Sequence, residues 1–218
     1  FIGLYIVRSQ WRGRGYGMQL WEAALQQLTA RMDGDRPCIG LDGVLDREAD
    51  YGQAGFKAAY HHARHVYEPA ASDGIPEAVI PLADVPLAAI AGYEVRLFPA
   101  SRELFLDPWI RLAGAAYGVM EQGRLVGYGV LRPCRQGFKI GPLFADSIEI
   151  ADRLFLALTH RCVGQFVFID IPTINPSFSK FVARYGLQPV FTCVRMYRGH
   201  EPRLDVERIF GITTLELG

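Results

Sequence analysis

Residues 12–17 read Arg-Gly-Arg-Gly-Tyr-Gly, with three glycines at alternate positions between an apolar segment and a helical pattern. Residues 1–7 are apolar, β-branched and aromatic, which predicts a buried strand. Apolar residues then recur at helical spacing and predict a helix to about Arg31: Met18, Trp21, Leu25 and Leu28. A strand that passes through a glycine-rich turn into a helix is an arrangement that binds phosphates.

The chemistry of such a turn explains the preference. Glycines let the backbone approach an anion closely, successive N–H groups point at it, and the helix N-terminus adds partial positive charge. Arg12 and Arg14 add cationic donors. No Gly-Lys-Ser/Thr follows, and the glycines are spaced GxGxG, so neither a Walker loop nor a dinucleotide fingerprint is present. Anion binding is favoured over an ordinary tight turn, and a nucleotide phosphate stays an alternative ligand.

Further elements follow along the first half. We predict a turn at Asp33-Gly34-Asp35, a short strand from Cys38 to Leu41, a helix from Asp46 to Ala54 closed by Gly55, and a strand from Lys57 to Tyr67. Residues 69–76 (PAASDGIP) are small and polar with proline at both ends, and they are the best candidate for a linker.

The second half repeats the order of strand, helix, strand, helix and strand. We predict a hairpin around Gln122-Gly123, and the remaining elements are strands near residues 138–144, 165–171 and 188–197 and helices near 148–158 and 178–185. An internal duplication explains this order economically, although α/β units repeat it in any case. The fold class is therefore α/β.

Composition restricts the partners. The 218 residues carry 23 basic and 23 acidic side chains, so no basic excess points to nucleic acid. No apolar run approaches the ~20 residues that span a bilayer, and we expect no membrane partner. Four dispersed cysteines (Cys38, Cys134, Cys162 and Cys193) favour reduced thiols in a cytoplasmic protein over a disulfide framework. Phe1 begins within the predicted strand, and we expect that strands preceding it are missing.

The residues around these motifs resemble the GNAT superfamily of N-acetyltransferases. Residues 12–17 match its Arg/Gln-x-x-Gly-x-Gly/Ala signature, and residues 51–56 (Tyr-Gly-Gln-Ala-Gly-Phe) are similar to its Tyr-x-x-x-Gly-Phe segment. The resemblance is specific over residues 1–67 and weaker in the second half, at 181–187 and 192–199. It implies a mixed α+β sheet in two tandem GNAT-like modules: a catalytic module at 1–68 without its N-terminal strands, the linker 69–76, and a degenerate module at 77–218.

The resemblance also implies an acetyl transfer in which an amine attacks acetyl-CoA directly. The acceptor would be a small-molecule amine or a protein amino group. Nine residues would hold acetyl-CoA: Tyr5, Ile6, Val7, Arg12, Gly13, Arg14, Gly15, Tyr16 and Gly17. Tyr51 matches the tyrosine that donates a proton to the leaving thiolate, and its alternative is a buried core tyrosine. A non-catalytic acyl-CoA-binding or sensing protein is the alternative function.

The base that accepts the amine proton is less defined. Asp42 follows a predicted strand and is a candidate, although Asp-Gly readily forms turns and we favour the turn. Asp46, Glu48 and Asp50 are interpreted as solvated residues of the next helix. His61 and His62 point to opposite faces of a strand, so we predict no metal.

The second half lacks a comparable glycine loop. Residues 145–147 (Ala-Asp-Ser) offer a helix cap, and Val182 stands at the position that matches Tyr51, which argues against a second catalytic centre. Aromatic and cationic side chains there would either line an acceptor pocket or, as we favour, divide into aromatic residues that pack in the core and arginines at the surface: Tyr93, Arg96, Phe98, Arg102, Phe105, Trp109 and Tyr128.

Overall fold

A computed structural model describes residues 1–31, 37–71 and 74–218. The predicted turn at Asp33-Gly34-Asp35, and Ser72 and Asp73 of the predicted linker, lie outside the described residues. The helices are α1 (Tyr16–Ala30), α2 (Glu48–Gln53), α3 (Leu87–Glu94), α4 (Glu103–Arg111), α5 (Ile148–Thr159) and α6 (Phe178–Tyr185). The strands are β1 (Cys38–Val44), β2 (Lys57–Tyr67), β3 (Val79–Pro81), β4 (Ala115–Glu121), β5 (Arg124–Pro133), β6 (Phe138–Ala145), β7 (Val167–Pro172), β8 (Gln188–Gly199) and β9 (Ile209–Gly211).

The chain divides into two compact units. Unit 1 comprises Phe1–Tyr60, Cys193–Pro202 and Leu215–Gly218, and unit 2 comprises His61–Thr192 and Arg203–Thr214. Within the described residues, no helix has both the length and the apolar character that crossing a membrane requires.

Unit 1 packs a helix on a pair of antiparallel strands. β1 pairs with β8 in a continuous register from Cys38 opposite Gly199 to Val44 opposite Cys193. The apolar stripe of α1 turns Trp21 inward, where it is only 9% exposed. The core of the unit comprises Trp21, Ile39, Leu41, Phe56, Val194 and Met196. The helix predicted to end at about Arg31 is thus confirmed as α1, and its buried face fixes where its N-terminus lies.

The predicted strand at residues 1–7 is wrong. These residues adopt no regular secondary structure, and Leu4 and Ile6 are 71% and 68% exposed. A strand needs a partner ladder, and among the backbone hydrogen bonds of the described residues this segment makes only the one from Ile2 N–H to Gly40 O, at 2.9 Å. The apolar, β-branched composition predicted a buried strand, but composition does not report whether a strand is available to pair with it.

Unit 2 is built on a mixed sheet. From the His62 end of β2 the strand order is β2-β7-β6-β5-β4-β3, and all neighbours are antiparallel except β6 and β7. α5 and α6 cover this sheet through a core that includes Leu154, Phe155 and Phe181, each fully buried. The predicted strands and helices of this half are all confirmed, while α3, α4, β3 and β9 were not predicted.

Two glycine-dependent turns agree with their sequence signals. Gln122 and Gly123 have φ of 49° and 75°, so the β4–β5 hairpin turns through two left-handed residues as its sequence predicts. Gly186 ends α6 at φ 60°, the left-handed closing conformation that glycine adopts without strain.

Candidate functional site

The glycine loop of unit 1 forms a tight entry into α1. Residues 9–11 make a single 3-10 turn, Gly13 has φ 73°, and Gly15 caps α1 at φ 79° and ψ −8°. Left-handed φ values are costly for residues with a Cβ, so these two glycines are required by the path of the chain. Among the residues that the structure describes, no heavy atom lies within 4 Å of where a Cβ of Gly13 or Gly15 would stand, so these two positions face open space.

The backbone donors of this loop are available to a ligand. Among the described residues, no backbone acceptor or side chain receives a hydrogen bond from the N–H groups of residues 13–18. The first N–H groups of a helix have no partner inside the helix, and the helix dipole adds positive charge at the same end. Unpaired donors at a helix N-terminus are the feature that an anionic group such as a phosphate binds in proteins.

Three side chains hold the loop in shape. Arg12 Nε donates to the Val7 carbonyl oxygen at 3.0 Å, which ties the loop to the segment before it. The Arg14 guanidinium lies 5.0 Å from the centre of the Trp11 ring, within the range of a cation–π contact. Both arginines are exposed and keep further N–H donors for a bound anion.

A cleft of ≈ 590 Å³ in unit 1 lies beside the first turn of α1. Its lining combines predicted site residues with others that were not predicted: Tyr5, Met18, Trp21, Arg47, Asp50, Tyr51, Gln53 and Ala54. The Tyr5 and Tyr51 rings lie 5.7 and 5.6 Å from the Trp21 ring. At Gly17, an added Cβ would stand 2.6 Å from the Tyr5 hydroxyl oxygen, so glycine allows Tyr5 to reach α1.

Among the lining residues that sequence reasoning missed, Met18 and Trp21 carried a usable signal. Their three-residue spacing on α1 indicated a shared face but not that the face would be only partly covered. Arg47 and Asp50 form an exposed ion pair at 2.9 Å, and ion pairs of this kind on a helix surface give no sequence signal for a site.

Tyr51 lies on α2 with its ring over β1. An added Cβ at Gly43 would stand 2.5 Å from a carbon of the Tyr51 ring, so the glycine permits this packing. Burial raises the pKa of the Tyr51 hydroxyl above its ordinary value, and the nearby Tyr5 adds to the increase. The phenol therefore keeps its proton at neutral pH, the state that a proton donor to a thiolate requires.

Asp42 lies inside β1, so the favoured interpretation of Asp42-Gly43 as a turn is wrong. Both carboxylate oxygens accept from Arg195, at 2.7 and 2.8 Å, and neither side chain is more than 5% exposed. Burial alone would lower the pKa of Arg195, but the charge and hydrogen bonds of Asp42 hold this pKa well above its ordinary value. Proton transfer to Asp42 would require this ion pair to open, and its role as base stays a prediction.

The aromatic and cationic side chains predicted in the second half pack mainly against unit 2 itself. Arg102 makes two hydrogen bonds to Glu94, at 2.7 and 3.0 Å, and its guanidinium lies 4.1 Å from the centre of the Phe98 ring. Tyr128 is fully buried and donates to the same Glu94 carboxylate. Trp109 Nε1 donates to the Gly141 carbonyl oxygen at 3.0 Å. These contacts favour packing over an acceptor pocket.

The strand-to-helix junction of unit 2 differs from the glycine loop. Ser147 caps α5 by accepting a hydrogen bond from Ile150 N–H at 3.4 Å, as its sequence predicts. Asp146 accepts a hydrogen bond from the Tyr93 hydroxyl at 2.8 Å. The donors of this helix end are thus partly used by the protein.

Comparisons with known proteins identify the family of the chain. A family model described as an acetyltransferase (GNAT) domain matches residues 90–211, more than half of the chain. A holothin acyltransferase from Pseudoalteromonas sp. (strain SANK 73390) is 29% identical, and the alignment covers 100% of this chain and 73% of the relative. The match of the family model lies mostly in the second half, whereas the motifs lie in the first.

Solved structures show the same fold. A Pyrococcus horikoshii protein assigned to the acetyltransferases superposes with a TM-score of 0.79 at 22% identity, over 97% of this chain and 69% of that chain. A tandem GNAT protein from the clavulanic acid biosynthesis pathway superposes with a TM-score of 0.56 at 17% identity, over 90% of this chain and 74% of that chain.

The family match identifies an acyltransferase domain with a mixed α/β fold, of a family that uses acyl-CoA as co-substrate. The chain belongs to the GNAT acetyltransferase family, whose domain model covers its second half.

Proposed function

We propose that this protein transfers an acetyl group from acetyl-CoA to the primary amine of a small molecule, with one active site in unit 1. The observation that carries the proposal is the row of unpaired N–H donors at residues 13–18 beside an open cleft. Diphosphate is the anionic part of CoA that such a row fits, because successive backbone donors and the helix dipole act on the same group.

The cleft supplies what the rest of the cofactor requires. Tyr5, Met18 and Trp21 offer apolar surface beside the loop, on which an uncharged thioester arm would lie. Ile6 and Val7, which are also predicted contacts, follow Tyr5 of the cleft lining in the sequence, and the Val7 carbonyl oxygen accepts a hydrogen bond from Arg12 Nε. The protein then contributes chiefly by bringing the amine and the thioester together in a reactive orientation.

The proposed chemistry is a direct acyl transfer. The amine nitrogen attacks the thioester carbonyl carbon, the C–S bond breaks, and the leaving sulfur takes the Tyr51 proton. The attacking nitrogen releases its own proton to a base, for which Asp42 stays a candidate once its pair with Arg195 opens. The position of Tyr51 on α2, with its ring packed against Gly43 beside the cleft, supports this role.

The tandem arrangement is part of the same proposal. Residues 1–68 would form the catalytic module and residues 77–218 a GNAT-like module without catalysis, which the cap at Ser147 and Val182 in place of Tyr51 support. Since a holothin acyltransferase aligns over the whole chain, holothin is the first acceptor to test, ahead of protein amino groups.

The experiment is a thermal-stability screen with acetyl-CoA, longer acyl-CoAs, ATP and NAD. A ligand that binds only the folded state stabilises it by about 2.7 kcal/mol at a concentration 100 times its Kd. We expect acetyl-CoA to raise the unfolding midpoint and the nucleotides to leave it unchanged. A shift with ATP or NAD and none with any acyl-CoA would contradict the proposal.

Replacement of the proton donor separates an enzyme from a sensor. Tyr51→Phe should lower acetyl transfer about 100-fold, within the range for general acid catalysis, while acetyl-CoA affinity stays unchanged. The matched control is Tyr185→Phe in unit 2, which removes a hydroxyl that donates to Asp152 at 2.9 Å. Wild-type protein that binds acetyl-CoA but acetylates neither holothin nor other amines would support a sensing protein instead.

A further inference from the structure

The crevice between β6 and β7 of unit 2 is filled by the chain itself. β6 and β7 run parallel, and they pair only from Phe138 opposite Val167 to Ile140 opposite Ile169. Beyond this point β9 takes over, since it pairs with β6 at Leu143 and Phe144. On the other side, Ile212 N–H donates to the Asp170 carbonyl oxygen of β7 at 2.9 Å.

This crevice is where an open α/β sheet ordinarily holds its ligand. In such sheets, ligands bind outside the carboxyl ends of the parallel strands, where neighbouring strands lead apart. β6 and β7 are the parallel neighbours of unit 2, and β6 leads directly into α5, as the segment before the glycine loop leads into α1. β9 thus lies along the strand edge that would hold an extended ligand arm.

The fit of the segment leaves no space for a second occupant. Phe210 and Thr213 are 1% exposed. An added Cβ at Gly141 would stand 2.2 Å from the Thr213 carbonyl oxygen, and one at Gly211 would stand 3.0 Å from the Ile169 side chain. Both glycines therefore mark places where the backbone of the segment or its neighbour approaches too closely for a side chain.

Polar anchors hold both ends of the segment. The buried Asn175 amide nitrogen lies within hydrogen-bond distance of three carbonyl oxygens, those of Val206, Glu207 and Ile209, at 3.1, 3.2 and 2.9 Å. At the other end, Arg102 donates to the Thr213 hydroxyl at 3.0 Å. If the segment were released, these carbonyl groups would lose the Asn175 donor, and an unsatisfied buried carbonyl is costly. The anchors therefore oppose release of the segment.

We infer that residues 209–213 are a built-in occupant of the ligand crevice of unit 2, so that the chain binds one acyl-CoA, in unit 1. The inference rests on the proposed function for its choice of ligand. The occupancy of the crevice itself does not depend on that choice, and the two statements are tested by separate measurements.

The first measurement is titration calorimetry with acetyl-CoA. We expect one equivalent per chain, at least tenfold weaker in Gly15→Val and unchanged in Ser147→Ala, which alters the matching junction of unit 2. Two equivalents would overturn the inference and leave the proposed function standing. One equivalent that survives Gly15→Val but is lost in Ser147→Ala would overturn both.

The second measurement is amide hydrogen exchange of the full chain, with and without acetyl-CoA. We expect residues 143–144 and 209–213 to stay protected in both samples, with the protection reduced in Asn175→Ala. Exchange of these amides at the rate of an exposed loop, or loss of their protection when acetyl-CoA is added, would overturn the inference. If calorimetry detects no binding at all, the proposed function fails, and this exchange pattern alone decides whether the crevice is occupied.

Discussion

The N-termini of α1 and α5 differ in how their backbone donors are used. In unit 1, a loop with two left-handed glycines leads into α1, and the N–H groups of residues 13–18 have no acceptor among the described residues. In unit 2, Ser147 caps the corresponding helix and β9 covers the strand that leads into it. In both halves a segment leads through a turn into a helix, although only in unit 2 is that segment a strand, so the order alone does not identify which half holds the proposed site.

The difference shows what converts a common fold element into a site. A helix N-terminus has unsatisfied donors wherever it occurs, and the protein either satisfies them or leaves them to a ligand. The deciding features are local. A left-handed glycine, Gly15, precedes α1, whereas a capping serine, Ser147, precedes α5, and in unit 2 β9 also pairs with the strand that leads into the helix. Residues 90–211 match the family model, yet the open donors lie in residues 13–18.

The largest expected effect tests whether β9 is part of the core of unit 2. Phe210→Ala should lower the free energy of unfolding by about 3–5 kcal/mol, because it removes a buried aromatic ring and leaves a cavity. The measurement is urea unfolding. Phe166→Ala is the control, since Phe166 is 50% exposed and its loss should cost less than about 1 kcal/mol. Equal costs for both variants would mean that β9 packs loosely.

A second effect concerns the strand beside β9. Burial opposes the charge of Asp170, but hydrogen bonds from Arg64 and the charge of Lys139 lower the pKa of Asp170 below its ordinary value. A carboxylate with a lowered pKa in the folded state stabilises the protein at pH values above its unfolded pKa of about 3.9. This contribution is lost as the pH falls through the folded pKa.

Asp170→Asn should therefore lower the free energy of unfolding by about 3 kcal/mol at pH 7, because it removes the buried carboxylate that pairs with Arg64 and Lys139. The variant should also lose part of the dependence of stability on pH between pH 5 and the acid limit of the assay. Asp107→Asn is the control, since its pair with Arg111 is exposed. Parallel pH curves for Asp170→Asn and wild type in urea unfolding would contradict the assignment.

A third effect separates the glycine of the open junction from other left-handed glycines. Gly15→Val should cost about 1–3 kcal/mol in backbone strain, which the loop relieves by moving its donors. We expect acetyl-CoA affinity to fall about tenfold or more. Gly186→Val imposes similar strain at φ 60°, also with open space around the added Cβ, and should lose stability but keep affinity. Equal acetyl-CoA affinities in Gly15→Val and Gly186→Val would contradict a specific role for the loop before α1.

The smallest expected effect concerns the capped N-terminus of α5 in unit 2. Ser147→Ala removes a long capping hydrogen bond of 3.4 Å and should cost about 0.5 kcal/mol of stability. The variant frees a donor at the N-terminus of α5 but leaves β9 in place, so it should gain no second acyl-CoA. A second binding event in calorimetry would show that the cap, rather than β9, closes this junction.

Sequence patterns predicted most of the regular elements because each carried a local signal. The helical spacing from Met18, the left-handed pair at Gln122 and Gly123, and the glycine that ends α6 are all confirmed. The strand predicted at residues 1–7 was wrong, because strand formation depends on a pairing strand and composition does not report one. β9 was missed because three residues, Ile209–Gly211, are too short for periodicity to appear.

The residues of the candidate site also divide into those with a local sequence signal and those without one. The loop at 12–17 was visible because its glycines are a backbone requirement, and Tyr51 was visible through its segment before Gly55. The pairing of Asp42 with Arg195 joins residues that are 153 positions apart, so no local pattern indicates it. Long-range ion pairs of this kind follow from the register of β1 with β8, which only the folded structure provides.

The most direct test is an NMR titration of the isotope-labelled chain with acetyl-CoA that follows the backbone amides of both junctions. The open donors of unit 1 predict large, saturable shifts of the amide signals of residues 13–18 and small changes at residues 146–150. Shifts confined to residues 146–150, or saturation of binding with the amides of residues 13–18 unmoved, would contradict the account.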